Sequence, residues 1–273
     1  AIYAYTSSGF YGNYHFYNNN FRSVKTNTIS AFYNISTSST WFAQNNNYSA
    51  TYHAYRTTAY TTVAALATAS GKNVGAQSYN PMYKSGADLH INNINLGQAG
   101  KGVGITMDID ADSRATTNPT IGAHEIDPDI TVVSIDSVPL KCGAKSSTQF
   151  ITVRLKNNGD IDLVDIPMEL NVNGGTTIHD TVRISIPAGG TASFAFTQAV
   201  NLSGKMDYTI NVKANPLYDV ASGDNSKSLY VPYWPIPDGD FTFKETCLGA
   251  ATMFDGSSTH TGTTSAPYSV DFT

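Results

Sequence analysis

Short stretches in which apolar and polar residues alternate recur along the chain, and a period of two predicts β-strands. Near the start of the chain, clusters of Gly, Asn and Ser separate these stretches, which are Ile2–Tyr5, Tyr14–Tyr17, Ile29–Tyr33, Thr40–Phe42 and Ala50–His53. Seven more follow residue 128, namely Ile130–Ile135, Phe150–Lys156, Met168–Val172, Asp180–Ile186, Ala192–Phe196, Tyr208–Val212 and Ser228–Val231. The pattern therefore predicts an all-β chain.

Two segments near the start of the chain look like copies of one unit. Phe16–Phe21 and Phe42–Tyr48 each contain an aromatic residue, three asparagines and a second aromatic residue, and the asparagine triplets are 27 residues apart. This period with short strands is typical of a β-solenoid, because one coil cannot bury its apolar face alone. Asparagines at equivalent corners can adopt the left-handed conformation and form a ladder between coils. An antiparallel sandwich with Asn-rich turns is the alternative.

One segment has the pattern of a helix instead. Thr62–Ser70 is rich in Ala, Thr61 or Thr62 can serve as its N-cap, and Gly71 can end it in the left-handed conformation. A helix this short is marginal on its own, so we expect it to pack on a neighbouring element.

The region around this helix resembles a known family. The stretches YTTVAALATASGKN, SYNPMYKSGADLHI and GITMDIDADSRATTNPTIGAHE lie within residues 58–127. They are similar to the C-terminal end of right-handed parallel β-helices in large secreted proteins of the Bacteroidota phylum. The sequence departs from that family at Ala111, where Gly is usual, and at His124, where Asp is common. The resemblance implies that residues 1–127 are the last coils of a parallel β-helix, with a closing segment at their end.

The region with seven predicted strands resembles a second family. The stretches VRLKNNGDIDLVDIPMEL, ISIPAGGTASFAF and NPLYDVASGDNSKSLYV are similar to CARDB domains, which are extracellular adhesion-type modules. Seven short strands in about 100 residues are typical of an immunoglobulin-like sandwich, so residues 128–232 are predicted to form a CARDB-like domain. After a proline-rich connector, residues 233–273 resemble the start of a PKD-like β-sandwich. The chain begins and ends within strand-like alternation, so we expect it to be a fragment of a much longer protein.

Charge is scarce and unevenly distributed. Only 14% of the residues are charged and the net charge is −5, against about 25% charged residues in an average domain. A chain with so little charge and a negative net charge is not expected to bind nucleic acid. No apolar run approaches the roughly 20 residues of a membrane-spanning helix. The first carboxylate is Asp88. Because glycan cleavage by acid–base chemistry needs carboxylates near the scissile bond, we expect the chain to have no enzymatic activity and no catalytic residues.

Three carboxylates in one short stretch are the candidate ligands for calcium. Asp108, Asp110 and Asp112 offer clustered oxygens, but the Gly and Glu that complete an EF-hand loop are absent. The resemblance implies that this segment is a structural closing turn with Arg114 available to pair these carboxylates, so we expect no metal or other cofactor, with calcium as the alternative. The six histidines do not fall at ligand spacing. If the closing coil forms as in the resembling family, His90 and His124 can approach each other, although no metal site is expected there.

Other candidate sites rest on single residue types. Exposed aromatic side chains can stack on sugars. One interpretation is therefore a glycan-binding face formed by Tyr14, Tyr33, Trp41 and Tyr52. The alternative is that these aromatic residues pack within the solenoid. Cys142 and Cys247 lie near the predicted domain entrances, where a disulfide between them is one option and a partner beyond residue 273 is the other. Ser137 and Thr181 fall in a pattern that resembles the O-glycosylation signal of secreted Bacteroidota proteins.

Together these features predict a non-enzymatic extracellular protein of the cell surface, of adhesin or stalk type. The family resemblance implies that it is a type 9 secretion substrate. Its expected partners are the type 9 secretion machinery during export, and surface glycans or other cell-surface proteins afterwards, with no nucleic acid and no direct membrane insertion. Two alternatives stay open. One is a carbohydrate-active enzyme, a lyase or glycosidase, whose site lies upstream of residue 1, and the other is a carbohydrate-binding module that uses the Tyr-rich face.

Overall fold

A computed structural model describes most of the chain: residues 13–23, 29–30, 40–55, 58–136, 138–139, 141–236, 242–243 and 254–255. Within these ranges the protein is mostly β-structure with almost no helix, as the sequence predicts. None of the helices in the described ranges has the length and apolar character needed to cross a bilayer.

The first part of the chain contains short strands that pair in parallel. They are β1 (Asn13–Tyr17), β2 (Asn20–Arg22), β3 (Ile29–Ser30), β4 (Thr40–Gln44), β5 (Asn47–Ser49), β6 (Tyr52–Tyr55) and β7 (Thr58–Tyr60). Strand β1 pairs with β4 and β2 with β5, both with an offset of 27 residues, so that Asn20 lies opposite Asn47. Strand β3 pairs in parallel with β6 at an offset of 23 residues, and β7 runs antiparallel to β6. The predicted repeat is therefore a pair of stacked, parallel-pairing units.

Aromatic side chains stack between the paired strands. The rings of Phe21 and Tyr48 are register partners whose centroids lie 5.3 Å apart at an interplanar angle of 14°, and the rings of His15 and Phe42 stack at 4.9 Å. Tyr48 is fully buried and its hydroxyl donates to the side-chain carbonyl of Asn73. Burial raises the pKa of Tyr48, so this hydroxyl stays protonated and remains a donor.

The predicted helix is present as α1 (Val63–Ser70). Thr62 is its N-cap, accepting a hydrogen bond from the backbone N–H of Ala65, and Gly71 ends it with φ of +61°. Leu66 is buried in a small apolar cluster with Ala43 and Tyr48. The helix therefore packs on the paired strands, which supplies the stability that so short a helix lacks alone.

Residues 88–127, which we call the closing segment, have little regular structure beyond a 3₁₀ turn at Ile94–Leu96. Asparagine side chains hold this segment against the paired strands. Asn18 donates to the carbonyl of Lys101 at 2.7 Å and accepts from the N–H of the same residue at 2.7 Å. Asn45 donates to the carbonyl of Ala99 at 2.9 Å, and Asn20 to that of Ile121 at 2.9 Å.

The corner asparagines have the conformation that the repeat predicts. Asn18 and Asn45 have φ of +57° and +50°, and the side-chain carbonyl of Asn46 accepts from both the backbone and the side-chain N–H groups of Asn19 at 2.9 and 3.0 Å. A ladder between units is thus formed by the middle asparagine of each triplet, while the flanking asparagines also reach the closing segment and nearby backbone.

Seven antiparallel strands form the following part of the chain. They are β8 (Ile130–Ile135), β9 (Thr152–Asn157), β10 (Ile166–Val172), β11 (Ile178–Val182), β12 (Thr191–Ala195), β13 (Tyr208–Ala214) and β14 (Ser226–Val231). One sheet has the order β11-β10-β13-β14 and the other the order β12-β9-β8. Apolar side chains that alternate along these strands fill the space between the sheets. This is the immunoglobulin-like sandwich expected from the alternating pattern.

The apolar core continues from the sandwich into the closing segment. Ile91, Leu96, Ile121 and Ile126 are buried in the same cluster as the inward-facing residues of the sandwich strands. The division of the chain into three domains, at residues 1–127, 128–232 and 233–273, stays a prediction. Beyond residue 236 the described residues form one short antiparallel pair, β15 (Thr242–Phe243) with β16 (Phe254–Asp255).

Candidate functional site

Two histidines and a carboxylate from three places in the closing segment converge on one point. His90 precedes the 3₁₀ turn, Asp110 lies in a tight turn, and His124 lies near the end of the segment. The rings of His90 and His124 have centroids 4.7 Å apart, and Nε2 of His90 lies 2.7 Å from Oδ2 of Asp110. One potential ligand atom from each of the three residues lies within 4.8 Å of the others. The approach of the two histidines that the family resemblance implied is confirmed.

Each histidine has a second carboxylate behind it. Nδ1 of His90 is hydrogen-bonded to Asp88, and Nε2 of His124 lies 2.9 Å from Oδ2 of Asp160, in the turn after β9. The hydrogen bond with Asp88 raises the pKa of His90, and Asp110 raises it further. Burial lowers this pKa but does not outweigh the two carboxylates, so the pKa lies above its usual range. The carboxylates therefore fix how both rings are oriented.

His124 is the most enclosed member of this cluster. Its side chain is only 7% exposed, compared with 25% for His90 and 38% for Asp110. Its second ring nitrogen, Nδ1, is buried and has no hydrogen-bond partner. An imidazole nitrogen is a ligand that many metals accept, so these three residues are the ones in the described part of the chain that can hold a metal ion together.

The stretch of three aspartates forms a tight turn organised by its first member. Oδ1 of Asp108 accepts from the N–H groups of Asp110 and Asp112 at 2.8 and 3.0 Å, and Oδ2 accepts from the N–H of Glu125 at 2.9 Å. Burial raises the pKa of Asp108, but these three donors outweigh it and hold the pKa below its usual range. The carboxylate is thus committed to backbone hydrogen bonds that close the turn. That these aspartates bind no calcium stays a prediction.

Arg114 does not pair with those aspartates as the sequence analysis expected. Its Nε lies 3.3 Å from Oε2 of Glu125, and both side chains are buried. The guanidinium also donates to the carbonyls of Thr120 at 2.5 Å and Gly122 at 2.9 Å. The physical reason is that a buried carboxylate and the carbonyls around it need an enclosed donor, whereas Asp108 is already satisfied by backbone N–H groups.

A surface cleft of about 470 Å³ lies where the closing segment meets the paired strands. The asparagines Asn18–Asn20 line one side of the cleft, and apolar side chains of the closing segment, including Ile105 and Met107, also line it. Ile105 and Met107 are each 60% exposed. The cleft therefore combines amide groups with an apolar rim.

The predicted glycan-stacking residues are only partly within the described residues. Tyr14 and Trp41 lie opposite each other in the register of β1 and β4, but their side chains fall outside what the structure describes. Tyr33 lies outside the described residues altogether. Tyr52, on β6, is 36% exposed. A face made of all four stays a prediction.

The predicted covalent sites also remain predictions. Cys142 is exposed and its neighbourhood pairs with the connector at Trp234, while Cys247 lies outside the described residues. Ser137 lies outside them as well. Thr181 is half-buried on β11, an edge strand of the four-stranded sheet.

Sequence reasoning missed Asp160 as a partner of His124 and Glu125 as the partner of Arg114. His124 itself carried a signal, because it stands where the resembling family commonly has Asp. Asp160 carried none beyond its place in an ordinary Asn-Gly turn, since its role depends on how the sandwich lies against the closing segment.

No protein-family model matches the sequence, and no curated protein matches it at a significant level. Among solved structures, the CARDB domain of a protein from Pyrococcus furiosus, determined in solution, is similar over 39% of this chain and 95% of its own, with 20% identity and a TM-score of 0.32. A domain of a protein from Methanosarcina acetivorans described as a cell-surface protein covers 39% and 92%, with 21% identity and a TM-score of 0.32. A crystal structure of the same Pyrococcus domain, described as a complex with di-metal ions, covers 39% and 89% at 21% identity and a TM-score of 0.32.

Proposed function

We propose that this chain is part of a non-enzymatic extracellular protein of the cell surface, of adhesin or stalk type. In this proposal the last coils of a parallel β-helix carry a CARDB-like sandwich and the start of a PKD-like domain. The observation that carries it is the apolar core shared by the closing segment and the sandwich, in which Ile121 and Ile126 are buried together with Ile130 and Leu155. A stalk needs joints that keep their direction under load, and a shared core resists hinging.

Polar contacts across the same joint support this proposal. Asp160 of the sandwich accepts from the N–H of Asp127 at 2.9 Å and pairs with His124. Asp162 forms a reciprocal pair with Asn92: the side-chain amide of Asn92 donates to Asp162 at 3.0 Å, and the N–H of Asp162 donates back at 2.7 Å. Four polar contacts made by two residues in one turn of the sandwich thus fix it to two places in the closing segment.

The parallel pairing of the first part supports the β-helix half of the proposal. A β-helix stacks successive coils in parallel and in register, and the 27-residue offset of both β1–β4 and β2–β5 fits this arrangement. Export through the type 9 secretion machinery, and surface glycans or other cell-surface proteins as partners, belong to the same proposal. They rest on the sequence resemblance and on the low charge of the chain.

Stretching single molecules of the full chain from its two ends tests the stalk. If the joint is one mechanical unit, residues 88–231 should unfold in a single event that releases roughly 500 Å of chain. Two separate events for the closing segment and the sandwich would contradict a rigid joint.

Glycan arrays and incubation with polygalacturonate, alginate and neutral glycans test the other half of the proposal. We expect neither specific retention nor new reducing ends. Specific binding that is lost in Tyr52→Ala would favour a carbohydrate-binding module, and turnover by the purified chain would show that it is an enzyme.

A further inference from the structure

We propose that His90, Asp110 and His124 bind one divalent transition-metal ion of the zinc class, and that this ion fastens the closing segment against the sandwich. The three side chains come from separate parts of the closing segment and contribute two imidazoles and one carboxylate. The site is distinct from the glycan-stacking face, and it shares only Asp110 with the aspartate turn that the sequence suggested for calcium.

The distances between the three candidate ligand atoms are close to those around a bound zinc ion. Zinc binds imidazole nitrogens and carboxylate oxygens at about 2.0–2.2 Å in a tetrahedral arrangement, so its ligand atoms lie roughly 3.4 Å from each other. The three candidate atoms lie within 4.8 Å of one another. Side-chain movements of roughly 1 Å would therefore complete the coordination, and such movements are open to His90 and Asp110, which are partly exposed.

Both histidines are held by a carboxylate, as metal-ligating histidines usually are. Asp88 accepts from Nδ1 of His90, which turns Nε2 towards Asp110. Asp160 accepts from Nε2 of His124, so this nitrogen holds the proton and Nδ1 holds a lone pair when the ring is neutral. A carboxylate behind each ligating histidine is the usual outer shell of a zinc site, where it fixes the tautomer and raises the basicity of the ligand.

The buried Nδ1 of His124 is the independent observation that points to a ligand. This atom lies in a side chain that is only 7% exposed, and it has no hydrogen-bond partner. Leaving a polar atom buried and unpaired is unfavourable, and coordination to a cation removes that cost. Nothing in a purely structural turn requires a histidine nitrogen to be held in this way.

The chemistry of the ligands and the local charge select the class of ion. Two imidazoles and a carboxylate suit zinc and its neighbours among the divalent transition metals, whereas calcium prefers oxygen ligands alone. Carboxylates are also concentrated here: burial raises the pKa of Asp127, and the negative charges of Asp160, Asp112 and Asp108 raise it further. A divalent cation would relieve this repulsion.

Three protein ligands leave one position of a tetrahedral ion for water. The partial exposure of His90 and Asp110 gives the ion a path from solvent. Because Asp160 belongs to the sandwich and holds His124, binding should stiffen the joint as well as the closing segment.

The test uses the full chain, stripped of metal by a chelator and dialysed, with zinc chloride as the probe in a calorimetric titration. We expect one equivalent to bind, with affinity at least tenfold weaker in His90→Gln and Asp110→Asn, whose side chains are partly exposed and therefore safe to change without unfolding. Asp160→Asn should weaken binding about 10–100-fold while leaving the ligands in place. Cobalt(II) in place of zinc should give visible absorption bands that His90→Gln alters, a readout that a merely structural histidine would not change.

Two matched variants act as controls. His179→Gln removes an exposed histidine on β11, and Cys142→Ser removes the exposed thiol; both should bind zinc as the unmodified chain does. The proposal is overturned if the unmodified chain binds less than half an equivalent. It is equally overturned if His90→Gln and Asp110→Asn bind as tightly as the unmodified chain, or if either control variant abolishes binding. Saturation by calcium chloride with no response to zinc would also overturn it.

Discussion

The phenol ring of Tyr218, in the loop between β13 and β14, packs directly on the backbone of Gly97 in the closing segment. A β-carbon added at Gly97 would overlap both the hydroxyl oxygen and the ring of Tyr218. Gly97 has an ordinary φ of −69°, so the requirement for glycine here comes from space and not from backbone conformation. The contact joins the sandwich to the segment that precedes it.

Replacing Gly97 with Ala should lower the free energy of unfolding by about 1–3 kcal/mol, because Tyr218 must move and its packing is lost. Urea unfolding followed by circular dichroism measures the change. Gly86→Ala is the matched control, since nothing lies within 4 Å of a β-carbon at Gly86, and it should be neutral or slightly stabilising. Equal effects of the two substitutions would mean that Tyr218 does not pack as described.

Asn18 affects the stability of the folded chain in two ways that two substitutions can separate. Its side chain makes two hydrogen bonds with the backbone of Lys101, and its φ of +57° is unfavourable for most residues. Asn18→Ala loses both hydrogen bonds and also strains the backbone, so it should cost about 2–3 kcal/mol. Asn18→Gly loses only the hydrogen bonds and should cost about 1 kcal/mol less. Thermal unfolding of the two variants side by side checks the difference, and an identical loss would argue against the left-handed corner.

Ala111 lies in the aspartate turn with φ of +68°, at the position where the resembling family usually has Gly. Ala111→Gly should therefore raise the free energy of unfolding by about 0.5–1 kcal/mol, because it relieves strain in the folded state. Ala64→Gly, on the exposed face of α1, is the control and should have the opposite sign, with a loss of about 1 kcal/mol. A destabilised Ala111→Gly variant would contradict the description of this turn.

Asp180 connects the two sheets of the sandwich and makes stability depend on pH. It lies on β11 and accepts from the N–H and hydroxyl of Thr197, just after β12, at 2.8 and 2.9 Å, and from the N–H of Thr181 at 2.7 Å. Burial raises the pKa of Asp180, but these donors outweigh it and hold the pKa below its usual range. The carboxylate's stabilising contribution is thus present above about pH 4 and is lost as the pH falls through the folded-state pKa.

Asp180→Asn should consequently be less stable than the unmodified chain at pH 7, by less than about 1 kcal/mol because the carboxylate is partly exposed. The difference should shrink towards zero near pH 2–3. Melting temperatures across this range provide the measurement, with Asp165→Asn, an exposed carboxylate, as the control that should show little change. A difference that grows at low pH would reverse the assigned direction of the pKa shift.

Local sequence patterns predicted several elements of this fold, because alternation, helix capping and repeat spacing determine these elements directly. The alternation in Ile130–Ile135 gave the bounds of β8, and the caps at Thr62 and Gly71 gave those of α1. The spacing of the asparagine triplets gave the register of β2 and β5, since equivalent residues of a repeat lie opposite each other.

The candidate site was harder to predict because its members meet only through tertiary structure. His90 and His124 are far apart in sequence, and no periodicity links either of them to Asp110. The pairing of His124 with Asp160 depends on how the sandwich is placed against the closing segment. For Arg114 the sequence favours the carboxylates that are nearest along the chain, whereas its partner in the structure is the buried carboxylate of Glu125.

The equal 27-residue offset of β1–β4 and β2–β5 has an evolutionary consequence. Duplication of such a stretch would place each copied side chain above its original, about 4.8 Å away along the stack, with the same residues buried and the asparagine corners still aligned. Insertion of a single residue within a strand would instead turn every later side chain of that strand to the opposite face. Versions of this protein are therefore expected to differ in length here by whole 27-residue units, each adding or removing one strand spacing in the stack.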